Sequence, residues 1–527
     1  MASRRFLEQS SFVCGVALSR FAFRSHLLYD LDSVNFALGI GRFDPRTHQA
    51  HPPGYFLYIL LGRLINSVVH DANLALVLLS IAASCGTVIL IYRMAFEWFG
   101  QREARFAGLL FLFSPLGWFH GTVALTYSVE AFFSALVGYL CWRVASGNAR
   151  LVMPAAIVLG VSAGVRPSSL VFLAPLFLFS LRRLPIRTAV LGVAGVSVTV
   201  LAWFAPMIRA SGGFSVYRDA MTSLWRLVPG RDTVFNSSPA TSIARGFTVG
   251  LIFCLTFGIA SVAMVGLVRN YRRNDPEKMR FTLVWVLPAM CFYVFIFLKF
   301  VNSGYLLLLI APGCVWISRS LSEWFIEGRA SRPTKLSILA IAAVANTAIY
   351  LGSPFYCSYR SVRQFEGELS EVVQAIRRIG TPDDTVIIGF DSHFLGYRHA
   401  GYYLPDYLTL EYPQVTLLEG TRIFTMRNRD TRLDERLTTG RLNRFILFPL
   451  PTDESANSAY LGTVEKLLPA DSLRTLHIAN HDYVTGPVSD LPLLFPPAPV
   501  SAAGVYPPLH YDSQDVYRRE QFGKVDR

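Results

Sequence analysis

Eleven apolar runs that read as bilayer crossings leave this chain little freedom in what it can fold into. They fall at about residues 10–28, 73–92, 105–121, 122–142, 151–165, 168–181, 188–208, 246–268, 281–298, 304–321 and 336–353. A chain that is 52 % hydrophobic and only 16 % charged, against about 25 % charged in ordinary soluble domains, would expose apolar surface in water with nothing to cover it. Soluble-enzyme and disordered classes are therefore excluded, and the fold class expected is a mainly α polytopic membrane protein. The first run is the weakest, because Arg20 and Arg24 interrupt it, and it shows no cleavage site, so it reads as an uncleaved span. In the 151–181 stretch, Arg166-Pro167 reads as a hairpin turn. Gly160 and Gly164 mark a close helix contact.

The net charge of +13 reads as topogenic charge on membrane loops rather than a nucleic-acid surface, so no nucleic-acid partner is expected. With the N-terminus inside and the runs alternating, the inside loops hold roughly 19 basic residues over about 65 positions, including the Arg269–Arg280 cluster. The outside loops hold roughly 10 over about 100, the bias of the positive-inside rule. His51–Val69 must then stay out of the count. Arg63 in its middle disfavours insertion, and the segment reads as a helix lying in the outer interface. Eleven crossings leave the C-terminus extracytoplasmic.

From about Ser353 the composition changes. Residues 354–527 hold no span: Phe365–Ile379 has helical periodicity, and Thr385–Phe390 and Phe445–Phe448 read as buried strands. A membrane domain (1–353) and a small extracytoplasmic α/β domain (354–527) ending in a Pro-rich tail, Pro492 to Pro508, are expected. The seven cysteines have no metal-ligand spacing, and six of them sit in apolar runs. They read as small hydrophobes. No metal or other cofactor is expected.

Polar residues gather at the outer face. The first outer loop opens with Asp30 and Asp32 at the membrane edge. Asp32 or Ser33 would cap a short helix Val34–Ile40; alternatively, two carboxylates one residue apart supply a general base and grip sugar hydroxyls. The same loop carries His48 and His51, two histidines within four residues where a single one is usually just solvated. The next outer turn brings His120, Tyr127 and Glu130, the last either a helix cap or a functional acid. Arg166 and Lys299, beside Asn302, are cations that short outer turns would not otherwise keep, and near a membrane they suit a lipid phosphate; snorkelling is the other account of Lys299. Together these groups fit sugar transfer from a lipid phosphate. The leaving group is already good, so a base for the acceptor hydroxyl and cations for the departing phosphate suffice.

Tyr29-Asp30-Leu31-Asp32-Ser33-Val34-Asn35, followed by His48-Gln49-Ala50-His51-Pro52-Pro53-Gly54-Tyr55, resembles the first outer loop of the GT-C glycosyltransferases. The likeness is to the family-39-like branch, with its protein O-mannosyltransferases and lipid A aminoarabinose transferases. Gly160–Pro167 and Ser303-Gly304-Tyr305-Leu306 are similar to two further recurrent stretches, which adds Tyr305 to the candidates. The resemblance spans roughly residues 10–353. It implies a membrane enzyme that moves a hexosyl or pentosyl group from a polyprenyl-phosphate donor, itself a substrate, to a glycan, lipid or protein acceptor on the extracytoplasmic face, with inversion. It also implies that Asp32 or Asp30 acts near the acceptor and that Glu130 matches the acid opening a later span. Here the acids form Asp-x-Asp rather than an adjacent pair, so the base stays open between them. A flippase or other transporter of a lipid-linked saccharide is the competing class. Transporters tend to carry mid-membrane charges and internal repeats, whereas here the charges sit at the rim and no repeat is found.

Overall fold

The computed structural model describes residues 2–45, 49–227, 239–263, 275–296, 300–328, 331–354, 357–389, 395–411, 415–418, 422–425, 442–448, 474–479 and 481–487. His48, Lys299, residues 269–274 of the basic cluster and the Pro-rich tail lie outside them. The chain separates into two compact units. One comprises Met1–Leu27 and Gly39–Arg363; the other comprises Leu28–Leu38 and Gln364–Arg527.

The first unit is helical, as backbone deprived of water must satisfy its hydrogen bonds within each segment. Its helices are α1 (Ala2–Ala22), α2 (Leu31–Gly41, whose first eight residues belong to the other unit), α3 (Phe56–Val69), α4 (Ala72–Phe99), α5 (Gln101–Leu112), α6 (Pro115–His120), α7 (Tyr127–Ala145) and α8 (Val152–Val165). They continue with α9 (Ser168–Leu181), α10 (Ile186–Ala210), α11 (Phe214–Leu227), α12 (Pro239–Phe257), α13 (Pro276–Phe295), α14 (Ile310–Glu327) and α15 (Arg332–Gly352). Six helical segments among the described residues are long and apolar enough to cross a membrane: 72–99, 186–210, 246–263, 276–295, 303–327 and 332–352. Helices α3, α8 and α9 have 14 residues each, about 21 Å, and fall short of a ~30 Å core by themselves.

The run 105–121, expected as one span, is broken. Helix α5 stops at Leu112, and α6 restarts at Pro115 with Ser114 as its cap, its hydroxyl accepting the Gly117 N–H at 3.0 Å. The break explains Arg20. Its guanidinium is fully buried and donates to the carbonyls of Phe111 and Leu112 at 3.2 and 3.0 Å. Those are the last two residues of α5, where unpaired carbonyls and the negative helix end favour a cation. Arg63 does the same for α2, donating to Gly39 and Ile40 carbonyls at 2.9 and 2.8 Å. The turn between α8 and α9 falls at Arg166-Pro167. A Cβ on Gly160 would lie 2.6 Å from Thr199 of α10, and one on Gly164 would lie 2.5 Å from Leu57 of α3, so both glycines are required by close packing.

The second unit holds a five-stranded mixed sheet in the order β2-β1-β5-β7-β6. Its strands are β1 (Thr385–Gly389), β2 (Leu408–Glu411), β5 (Arg444–Leu447), β6 (Arg474–Ile478) and β7 (His481–Pro487), and β3 (Val415–Leu418) pairs antiparallel with β4 (Arg422–Thr425). β1 runs parallel to β2 and β5, while β7 runs antiparallel to β5 and β6. The two expected strands are β1 and β5, the central parallel pair, and all five β1 residues are buried. Helix α16 (Tyr359–Ile379) contributes Val372 and Ile376 to a core with Ile387, Ile446 and Tyr483, and α17 (Tyr397–Tyr403) contributes Ala400.

Leu28–Leu38 is secured within this unit. The Leu28 N–H donates to the Tyr403 hydroxyl at 2.8 Å. The Tyr29 ring meets Phe365 edge-on at 5.3 Å, and Phe365 meets the buried His399 at 5.3 Å.

Candidate functional site

Two polar constellations contain the described candidates. The first is in the helical unit. Proline disfavours helical backbone at the residue before it, so Pro167 stops α8 and leaves Arg166 extended (φ −150, ψ 108). The Arg166 side chain is 4 % exposed and that of Glu130, in the first turn of α7, is 0 % exposed; they pair at 3.3 Å between Nη1 and Oε2. Nη1 also donates to the Thr126 hydroxyl at 3.1 Å, and the Ser169 hydroxyl donates to Glu130 Oε1 at 3.1 Å. The guanidinium is sandwiched by the rings of Tyr127 and Tyr305, with centroids at 4.4 and 4.0 Å. Tyr293 packs on Tyr305 at 5.2 Å, and the buried His120 packs on Tyr127 at 4.8 Å. A charge sandwiched by two aromatic faces and paired to a carboxylate is held in one geometry.

Gly304 makes the sandwich possible. A Cβ there would overlap the Tyr127 ring, so the Ser303-Gly304-Tyr305 stretch reads as a packing requirement for the aromatic cage. Tyr55 adds an edge. It lies within electrostatic reach of Arg166, its hydroxyl is 3.3 Å from His51 Nε2, and its backbone holds a left-handed φ of 46°. That conformation costs a non-glycine residue on the order of 1–3 kcal/mol and persists only where the surroundings impose it.

The second constellation is in the other unit. Helix α2 begins at Leu31, three residues earlier than the expected Val34. Its cap is Asp30 instead of Asp32 or Ser33: Asp30 Oδ1 accepts the Asp32 N–H at 2.8 Å. Asp30 is buried and Asp32 is half-buried in the first helical turn, where unpaired N–H groups favour negative charge. Among the described residues no three His, Cys, Asp or Glu side chains are grouped to hold a metal ion.

Residues 47–188 match the family model described as the N-terminal domain of the protein O-mannosyl-transferase TMEM260. None of the curated proteins matches the chain. Among solved structures, ArnT from Cupriavidus metallidurans bound to undecaprenyl phosphate aligns at a TM-score of 0.60 and 11 % identity, covering 94 % of this chain and 99 % of that one. Its apo state aligns at 0.57 and 13 %, covering 95 % and 100 %. The apo form of the Archaeoglobus fulgidus oligosaccharyltransferase aligns at 0.51 and 12 %, covering 84 % and 69 %. The fold is that of the GT-C membrane glycosyltransferases.

Within this GT-C fold, three candidates read from separate stretches of sequence, Glu130, Arg166 and Tyr305, meet in one buried cluster. His51 reaches Tyr55. Sequence reasoning passed over Tyr55, Thr126, Tyr293, Ser168 and Ser169. The serines open α9 directly after Arg166-Pro167, the one signal that placed their hydroxyls beside whatever Arg166 meets. Tyr293 sits inside an apolar run and carried no signal.

Proposed function

We propose that this chain is a glycosyltransferase that moves a hexosyl or pentosyl group from a polyprenyl-phosphate donor to an acceptor hydroxyl of a glycan, lipid or protein on the extracytoplasmic side of its membrane, with inversion. The observation that carries the reading is the Asp30–Asp32 pair at the start of α2 in a chain of GT-C fold: Asp32 stands in the first helical turn, where the helix N-terminus keeps a carboxylate ionised, and it is proposed as the base. The ArnT structure similar to this one holds undecaprenyl phosphate, and a lipid-phosphate donor is assigned to this chain on that analogy.

In the proposed reaction the acceptor oxygen bonds to the anomeric carbon as the bond from that carbon to the phosphate oxygen breaks. The acceptor proton passes to the Asp32 carboxylate, and the polyprenyl phosphate leaves with the electron pair. Lys299, His48 and His51 are proposed to bind substrate. Arg166 has Nη1 committed to Glu130 and Thr126, so its proposed role is to hold Tyr305 and Tyr127 in place, with its remaining edge available to the donor phosphate.

The proposed arrangement in the membrane has eleven crossings, the N-terminus cytoplasmic, residues 1–353 as the membrane domain and residues 354–527 as an extracytoplasmic domain. The test is Asp32→Asn, nearly isosteric with the parent side chain. Removing a positioned base costs about 10²–10⁴ in rate, so transfer of sugar from a synthetic polyprenyl-phosphate donor should be lost while donor binding and folding are kept. Transfer at the parent rate would remove Asp32 from the mechanism. Lys299→Ala should weaken donor binding about 10-fold or more, the effect of losing one charge-assisted bond, as read by titration with polyprenyl phosphate.

A further inference from the structure

A groove of about 350 Å³ lies between the start of α1 and the far ends of α4 and α7, lined among others by Arg5, Phe6, Tyr92, Arg93, Phe96 and Tyr139. Tyr139 is nine residues along α7 from Glu130, about 14 Å, so the groove is separate from the Arg166 cluster. Helix α4 has 28 residues, about 42 Å, against a hydrocarbon core of about 30 Å. An apolar run entering the core near residue 73 leaves it near Tyr92 and Arg93, which puts Arg93 at headgroup depth. Arg5 likewise precedes the apolar run of α1.

The charges in the groove do not cancel. Glu8 is taken by Arg105 at 2.6 Å and Arg4 at 3.6 Å, and also accepts from the Tyr92 hydroxyl at 2.7 Å. Glu97 is taken by Arg143 at 3.0 Å and the Tyr139 hydroxyl at 2.7 Å. That leaves Arg5, stacked over the Phe96 ring at 4.8 Å, and Arg93 as cations with no ion pair among the described residues. The same rim is apolar outward, with Phe6 71 % and Leu7 64 % exposed. Two unneutralised guanidinium groups beside exposed apolar side chains at headgroup depth match a phosphate diester that carries acyl chains. A free phosphate would use the cations and leave the Phe6 wall unused.

We propose that this groove binds the headgroup phosphate of an anionic phospholipid, with Arg5 and Arg93 as its cationic contacts. The test is native mass spectrometry of the full chain titrated with phosphatidylglycerol or phosphatidylcholine. The parent protein should retain phosphatidylglycerol in preference. Arg5→Gln and Arg93→Gln should each weaken retention about 5-fold and the double variant about 30-fold, the factors that ~1 kcal/mol per cation near an anionic lipid corresponds to. Arg93→Lys keeps the charge and should retain the preference, and Arg102→Gln, outside the groove, should leave it unchanged. Equal retention of the two lipids by the parent, parent-like binding by the double variant, or loss with Arg93→Lys as large as with Arg93→Gln would overturn the proposal. Displacement of phosphatidylglycerol by millimolar inorganic phosphate would overturn the lipid assignment.

Discussion

Arg166 and Glu130 carry opposite charges into a place where neither is tolerable alone. Desolvating two ions is expensive, and the pair persists because each is also hydrogen-bonded, Arg166 to Thr126 and Glu130 to Ser169. Removing one partner of such a pair typically costs 3–5 kcal/mol, because the other is left charged and unmatched. Arg166→Gln and Glu130→Gln are each expected to destabilise by about that much in thermal unfolding in detergent. The double variant should lose less than the sum of the two. Additive losses would mean the two side chains do not act as a pair. Arg20 is a different case, a buried cation whose described hydrogen bonds run to helix-end carbonyls and to Ser19.

At the scale of elements, single small or polar positions decide how segments meet. Gly304 lets the segment Phe300–Leu309 lie against the Tyr127 ring. Gly304→Ala must push Tyr127 away from Arg166, with an overpacking cost of about 1–3 kcal/mol, and transfer should fall with it; parent-like stability and turnover would contradict this packing. Tyr403→Phe removes the acceptor of the Leu28 N–H and should raise hydrogen exchange at Leu28 without disturbing β1. In the turn before β1, burial pushes the Asp384 carboxyl up, but the Thr385 hydroxyl, the Thr381 N–H and Arg444 outweigh it and hold the group below its usual 3.8. A carboxylate lowered in the folded state stabilises above its unfolded pKa and loses that contribution as pH falls through the folded one. Unfolding temperature should therefore drop with acid from about pH 4 downward more steeply in the parent than in Asp384→Asn. Parallel curves would sink the assignment.

For the whole molecule the sidedness proposal has one direct measurement. In a background without the seven native cysteines, a cysteine at Ala149, between α7 and α8, should be shielded from a membrane-impermeant reagent in intact cells. One at Gly367, an exposed position of α16, should be labelled. Labelling at Ala149 together with shielding at Gly367 would mean that the count of eleven crossings is wrong. The segment to suspect first is His51–Val69, whose helix α3 is no shorter than α8 or α9.

What the residues by themselves determined is everything that depends on local pattern. Apolar length makes the helices, Arg166-Pro167 makes the turn between α8 and α9, short buried apolar runs make β1 and β5, and the first outer loop resembles that of the GT-C glycosyltransferases. What only the tertiary structure decided depends on groups far apart in sequence. Arg20 looked like a flaw in a span until the carbonyls of Phe111 and Leu112, 91 and 92 residues away, were seen to accept from it. Leu28–Leu38, read as part of a membrane loop, belongs with residues 364–527 because Tyr403 and Phe365 are its partners. Glu130, Arg166 and Tyr305 were each placed at the outer face from the sequence, but the ion pair and ring stacking that join them were invisible there. A buried charge needs a counter-charge, as at Arg166, or carbonyl acceptors, as at Arg20, and no local pattern records which distant residue supplies them.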